Sequence, residues 1–490
     1  MRISSIIPCV RNANGSGHEQ RRQTDGPGKD EVNRMNDFRK TAQEMLEFIR
    51  ISPTCFHAVA NIGRMLEAAG FQQLQEKEEW KLEKGGRYYT ERNDSSVIAF
   101  VIPEKEVGIR GFHMAAAHSD SPCFKIKEKP ELTVEEHYLR LNTEKYGGMI
   151  LSTWLDRPLS VAGRLAVKNG NGIEGRLVNI DRDLCVIPNV AIHMNREMNK
   201  GVEYNPQVDL LPLLADVSFD EYDTHTAHTT YDAQTASENA EEQPETVEKL
   251  TLAALAAEAA GVDAETILGE DLFLYTRQEG KMIGAKGEFV LSPRLDDLQS
   301  AFALTKAFTE STPAEYINLC AVFDNEEVGS GTRQGADSTF LEDTLQRITE
   351  GLQEGHSTYL RWVADSFLIS ADNAHAVHPN HPEKADPANR PYLNGGIVIK
   401  YHGSQKYTTD GISAAKMKDY CERAKVPYQT YANRSDIAGG STLGNISTAH
   451  VSVSSVDIGL PQLAMHSAVE TAGMKDTEYA VRALKEFWGE

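Results

Sequence analysis

The chain has 490 residues, 40% of them hydrophobic and 25% charged, with a formal net charge of −22. That length allows two or three domains and a sizeable core, and the composition is ordinary for a globular protein. The acidic balance argues against nucleic acid or an anionic membrane surface as the main partner, while a locally basic pocket could still take an anionic substrate.

The opening "MRISSIIPCV" has one Arg and a short apolar piece broken by Pro8, too weak for a signal peptide. Residues 11–34 are polar and Gly-rich, so a disordered extension is expected over 1–34, with Met35 as an alternative start. Phe38, Ala42, Met45, Leu46 and Ile49 then share one helical face. After Ser52-Pro53-Thr54, "CFHAVANIGRMLEAAG" reads as a second helix closed by Gly70. Residues 97–102 and 112–117 read as buried strands, completing the first part of an α/β domain, 35–121.

The texture changes over 122–283. "RLAVKNG", "GIEGRLVNI" and "DLFLYTRQEG" alternate as antiparallel strands do. A polar acidic loop near 232–248 precedes "VEKLTLAALAAEAAG", a helix ending at Gly261. From 284 to 490 helices and strands alternate: "LQSAFALTKAFTE", "YINLCAVF", "TFLEDTLQRITEGL", "SFLISAD", "GISAAKMKDYCERAK", "VSVSSVDIGL". That rhythm predicts a parallel α/β sheet with covering helices. The fold class is α/β, with a β-rich domain over 122–283 inserted into a parallel-sheet-centred domain of 35–121 and 284–490.

Cys9, Cys55, Cys123, Cys185, Cys320 and Cys421 form no CxxC, which suits a reduced cytoplasmic protein. No stretch approaches the roughly 18 apolar residues of a membrane span.

Ligands of open α/β sheets gather at the carboxyl ends of strands. Those ends carry His118 and Asp120, Asp296 and Asp297, Glu326 and Glu327, Asp372 with His375 and His378, and His466. Taken singly each is ordinary: a lone His-x-Asp or Glu-Glu is usually surface, and Asp296 or Asp297 could cap the helix starting near Leu298. Gathered at one sheet edge, the carboxylates would repel unless cations neutralise them. Mixed imidazole and carboxylate ligands suit zinc, cobalt or manganese better than magnesium. Two metals about 3.5–4 Å apart would need a bridging carboxylate, terminal ligands and a base, and the chain has enough of each.

At these residues the sequence resembles the aspartyl aminopeptidase family, metallopeptidase family eighteen. The matching pieces are "AHSDSPCFKIK", "SPRLDDLQS", "DNEEVGSGT", "SADNAHAVHPN", "GGIVIKYHGSQKY" and "PQLAMHSAVE", which run in the family's order from about residue 36 onward. The resemblance implies a zinc-aminopeptidase-like fold whose inserted domain makes dimer contacts. It implies two divalent metal ions, zinc first, with Asp296 bridging them. His118 and Asp372 would complete one site, Glu327 and His466 the other. Glu326 would be the general base, and Asp120 would hold the far nitrogen of His118. The family often has Asn where this chain has Asp297. Both glutamates could approach the site only if their strand ends there, which the Gly329-Ser330-Gly331 turn permits.

The implied reaction removes an unblocked N-terminal residue, preferably Asp or Glu, from a peptide. Lys400 would bind the acidic side chain, with Tyr407 at the family's spacing. His193 would complete a neighbouring subunit's site in a tetrahedral homododecamer built from dimers. Three rivals remain: a broader dinuclear aminopeptidase of the same fold, a non-catalytic shell or cargo-binding scaffold, and a dinuclear phosphoesterase. No ligand or base position is lost, which counts against the scaffold. The phosphoesterase would carry more His and Asn ligands and a basic phosphate clamp.

Overall fold

The computed structural model describes residues 29–104, 108–217, 250–440 and 442–490. Its centre is a nine-stranded sheet in the order Gln72–Gln73, Arg87–Arg92, Ser96–Val101, Ile317–Phe323, Phe112–His118, Phe367–Ala371, Ser454–Gly459, Ile397–Tyr401, Tyr428–Ala432. The middle four strands, from Ile317–Phe323 to Ser454–Gly459, are parallel. They are nearly continuous runs of small and β-branched residues because both faces are covered. Alternate residues point to opposite cores: Ala115, Ala117, Cys320 and Val322 face one, Met114, Ala116, Leu319 and Ala321 the other. The first core is closed by the helices Lys29–Arg50, Cys55–Ala68, Leu295–Thr309, Gly411–Ala424 and Asp476–Trp488. The second lies under Phe340–Gly351, His356–Ala364 and Leu443–His450.

The sheet is parallel at its centre, as expected, and turns antiparallel at its flanks. Ser96–Val101 runs antiparallel to both its neighbours, and Ile397–Tyr401 antiparallel to Ser454–Gly459. The cause of the first is local: Asn93 and Asp94 both take positive φ, making a tight hairpin between Arg87–Arg92 and Ser96–Val101. A third sheet of five short strands joins Ala374–His375, Lys281–Ile283, Phe289–Ser292, Pro461–Leu463 and Glu470–Gly473. Strands of two to four residues leave no alternation for a sequence reading to detect.

Two further boundaries move. The first helix begins at Lys29, so the expected disorder over 1–34 fails for residues 29–34; residues 1–28 lie outside the described residues. "KDEVNR" has almost no apolar residue to show a period, yet its Lys, Glu and Arg are good helix formers. The later helix starts at Leu252, capped by the Thr251 hydroxyl at Ala254 N–H (3.1 Å), and ends at left-handed Gly261. The acidic loop before it lies outside the described residues.

The second large sheet is wholly antiparallel and draws every strand from residues 123–276, in the order Gly172–Asn179, Leu159–Asn169, Ile267–Thr276, Cys123–Val134, Tyr138–Tyr146, Leu213–Asp216. Its own core centres on Phe124, Leu141, Leu165, Leu272 and Leu274. Gly163 lets Leu159–Asn169 and Ile267–Thr276 approach, since a Cβ there would run into the Asp271 carbonyl. Gly163→Ala is therefore expected to cost about 2–3 kcal/mol, read as a lower thermal unfolding midpoint. An unchanged midpoint would show that the ladder absorbs the methyl group.

Candidate active site

Three strand ends deliver the site. His118 is the last residue of Phe112–His118 and is 1% exposed. Asp372 directly follows Phe367–Ala371. Glu326 and Glu327 follow Ile317–Phe323 by a short step: Asn325 takes φ +63°, and the glutamates form a single 3₁₀ turn, Glu326–Val328. The turn that separates them from the strand thus comes before the pair, at Asn325, rather than at the glycines after it. On a turn, two adjacent side chains need not point to opposite faces, as they would on a strand.

Asp296 comes from the buried helix Leu295–Thr309, whose backbone is non-helical at Asp296 and Asp297. Neither aspartate caps the helix by its side chain. The Asp296 carboxylate instead faces two ways. Its Oδ1 lies 3.7 Å from His118 Nε2, and its Oδ2 lies 3.4 Å from His466 Nε2. His466 Nε2 is also 3.3 Å from Glu327 Oε1.

Both imidazoles are held from behind. His118 Nδ1 sits 3.1 Å from the Asp120 carbonyl and 3.3 Å from its carboxylate Oδ1. His466 Nδ1 sits 2.6 Å from the Gly148 carbonyl. With an acceptor at each Nδ1, the proton belongs there and each Nε2 lone pair is presented to the carboxylates.

The Asp120 carboxylate does more than face His118. It accepts the backbone N–H of Glu326 (3.2 Å) and of Glu327 (3.1 Å), and the Tyr146 hydroxyl (2.7 Å). Tyr146 in turn accepts from the Asn325 amide at 2.8 Å. Glu470 plays a parallel part, accepting Asp296 N–H (3.0 Å) and His466 N–H (2.7 Å) on its two oxygens. Sequence reasoning missed Tyr146 and Glu470. Glu470 closes the "PQLAMHSAVE" piece, four residues after His466, but its role depends on a backbone contact with a distant segment.

The electrostatics are those of crowded acids. Burial pushes the Glu326 carboxyl up to about 7; His118 opposes that, while Asp372, Asp120 and Asp296 reinforce it. Burial raises Glu470 to about 8, with Asp296 adding to the rise. Asp297, wholly buried, is pushed well up by burial. Its Oδ2 accepts the His118 N–H at 3.2 Å, while its Oδ1 has no hydrogen-bond partner among the described residues. Asp296 Oδ1 is likewise buried and without a hydrogen-bond partner among them.

This donor set fits divalent cations. His118, Asp296, Asp297 and Asp372 place ligand atoms within 4.8 Å of one another, as do His118, Glu326 and Glu327, and Asp296, Glu327 and His466. Two imidazole nitrogens with several carboxylates is a zinc, cobalt or manganese type of environment.

The cluster floors a cleft of about 300 Å³ that is also lined by His375, Lys400, Tyr407, Tyr431, Gly440 and Thr442. Lys400 is buried, with its ammonium 3.3 Å from Asp372 Oδ2 and 5.5 Å from the centre of the Tyr407 ring. His193 is exposed on a turn and does not line this cleft. His378 is exposed and lines a neighbouring groove.

The sequence profile described as "Aminopeptidase I zinc metalloprotease (M18)" matches residues 48–488. A probable M18 family aminopeptidase 2 from Clostridium novyi is 46% identical over 451 residues, covering 92% of this chain and 98% of its own. Among solved structures, a chain of the Ape4 and Nbr1 complex superposes with a TM-score of 0.84 at 36% identity, over 93% of this chain and 86% of the other. The S. cerevisiae mApe1 dodecamer gives a TM-score of 0.75 at 25% identity, over 92% and 97%.

Proposed function

The chain belongs to the M18 family of metal-dependent aminopeptidases, and we propose that within that activity it releases N-terminal Asp or Glu from peptides at a dinuclear centre. The observation that carries the dinuclear reading is the Asp296 carboxylate, whose two oxygens face two different histidines. Asp296 would be shared between two divalent ions. His118 and Asp372 would complete one site, and Glu327 and His466 the other. When bound, the ions supply Lewis acidity that makes a water more acidic and polarises the scissile carbonyl.

The remaining steps belong to the chain's own residues. Glu326, on the turn beside the cluster, takes a proton from the attacking water. It returns that proton to the leaving amide nitrogen as the C–N bond breaks, so one carboxylate serves as base and then acid. Asp120 holds the backbone of both glutamates and the back of His118, and so keeps base and ligands in register. Lys400 offers a cation to an acidic side chain, with Tyr407 packed beside it. His193 would reach the site of a neighbouring subunit in a homo-oligomer, a tetrahedral dodecamer built from dimers, with residues 122–283 at the dimer contact. Residues 35–121 and 284–490 form the catalytic domain. No helix among the described residues is long and apolar enough to cross a membrane.

A second reading, a broader aminopeptidase, draws on one observation. The Lys400 ammonium is already paired with Asp372, and a lysine discriminates carboxylates less rigidly than a bidentate arginine. Chromogenic substrates ending in Asp, Glu, Leu and Lys separate the two. The expected result is kcat/KM for Asp and Glu exceeding Leu by about tenfold or more, the scale of one satisfied polar contact. Faster cleavage of Leu or Lys would make the broader reading correct.

A further inference from the structure

Asp457, on the strand Ser454–Gly459, takes no part in the chemistry above, yet it is wholly buried and its carboxylate receives two separate walls of the cleft. Its Oδ2 accepts the backbone N–H of Thr408 at 2.6 Å and the Thr408 hydroxyl at 2.8 Å. Its Oδ1 accepts the Thr442 hydroxyl at 2.5 Å. Its own backbone N–H donates to the Thr409 hydroxyl at 2.9 Å. One segment, 402–409, carries Tyr407; the other brings Gly440 and Thr442 to the cleft.

The same two segments also meet through more exposed contacts. His402 Nε2 is 3.1 Å from the Ala438 carbonyl, and the Lys406 ammonium donates to the Gly439 carbonyl at 3.0 Å. These sit nearer solvent, whereas the Thr442 bond to the Asp457 carboxylate is both buried and charge-assisted, so water competes with it less.

Lys400 is tied to the same place by register. Val398 pairs with Gly459 and Ile399 with Ile458, so the next step of the antiparallel ladder sets Lys400 beside Asp457. The Lys400 stem crosses Gly459 on that face, its Cε 2.9 Å from where a Cβ would stand.

We propose that Asp457 is a positioning residue for substrate selection: it anchors both segments so that Tyr407 stays against Lys400 and the pocket keeps the shape that favours an acidic side chain. This rests on the reading of Lys400 and Tyr407 as the acid-binding groups. Asp457 touches no substrate and is not a catalytic residue.

The test compares Asp457→Ala, the milder Thr442→Val and Lys400→Met on Asp- and Leu-terminated substrates, with amide hydrogen exchange across 402–409 and 433–440. Asp457→Ala is expected to lower kcat/KM for the Asp substrate about tenfold, mainly through KM, while kcat for Leu changes little. Exchange in both segments should quicken. Thr442→Val should shift both readouts in the same direction by less, which keeps the test intact if Asp457→Ala folds poorly. The proposal is overturned if Lys400→Met abolishes the Asp-over-Leu preference while Asp457→Ala and Thr442→Val retain it. If Lys400→Met keeps the preference, the acid-pocket reading itself is wrong, and the selection role of Asp457 falls with it even where exchange quickens.

Discussion

Glu326→Gln is expected to lower kcat by about 10³-fold, within the usual range for a lost general base, while the metal content stays at the wild-type level. The substitution keeps the shape of the side chain and removes only its ability to take a proton. The backbone N–H of residue 326 still reaches Asp120, so the turn that carries Glu327 should be undisturbed. None of the ion-pair contacts among His118, Asp296, His466 and Glu327 involves Glu326. Metal analysis and turnover on an Asp-terminated substrate, measured on the same preparation, check it. A loss below about tenfold would remove Glu326 from the proton-transfer role. A loss accompanied by metal depletion would make it a ligand instead.

Asp296→Asn is expected to deplete both metal positions together and reduce activity to background. The amide occupies the same volume, so the fold should survive. However, one carboxylate oxygen becomes an N–H₂ donor, which cannot ligate a cation, and the shared negative charge is gone. Asp372→Asn, by contrast, touches a group assigned to only one position. The expected metal-to-protein ratio falls furthest in Asp296→Asn and by about half in Asp372→Asn if two ions bind, as the dinuclear reading requires. Thermal unfolding supplies a second readout, because ions that bind only the folded chain stabilise it by mass action. Full metal occupancy in Asp296→Asn would sink the bridging assignment.

The pattern of these residues explains why part of the site was legible in the sequence. His118, Asp372 and the Glu326–Glu327 pair each follow an apolar run long enough to be read as a buried strand, so their gathering at one sheet edge follows from the α/β rhythm. Asp296 lies at the start of an unusually apolar helix. The supporting groups have no such marker. Asp120 looks like a partner of His118, yet its hydrogen bonds run to the backbone of residues about 200 positions away. Tyr146 ends an antiparallel strand of the other large sheet, where an aromatic is unremarkable. Glu470 sits in a four-residue strand of a sheet too fragmentary to predict. Asp457 reads as the one charged residue of a short strand until the ladder register places Lys400 next to it. What stayed hidden was therefore strand order, register and side-chain-to-backbone bonding, all of which depend on tertiary contacts rather than on local periodicity.

The back of the site carries a consequence for how such a protein can change over time. Tyr146 and Gly148, which hold Asp120 and His466, lie within the stretch that also supplies the antiparallel sheet. That stretch is consequently not a detachable accessory. Joining residue 121 directly to residue 284 would delete the acceptor that orients one histidine and the phenol that steadies the acidic turn. Loops of that stretch that touch neither Asp120 nor His466 can vary, but the few residues around 146–148 tie its history to that of the groups they hold, so the two parts are constrained to diverge as a unit.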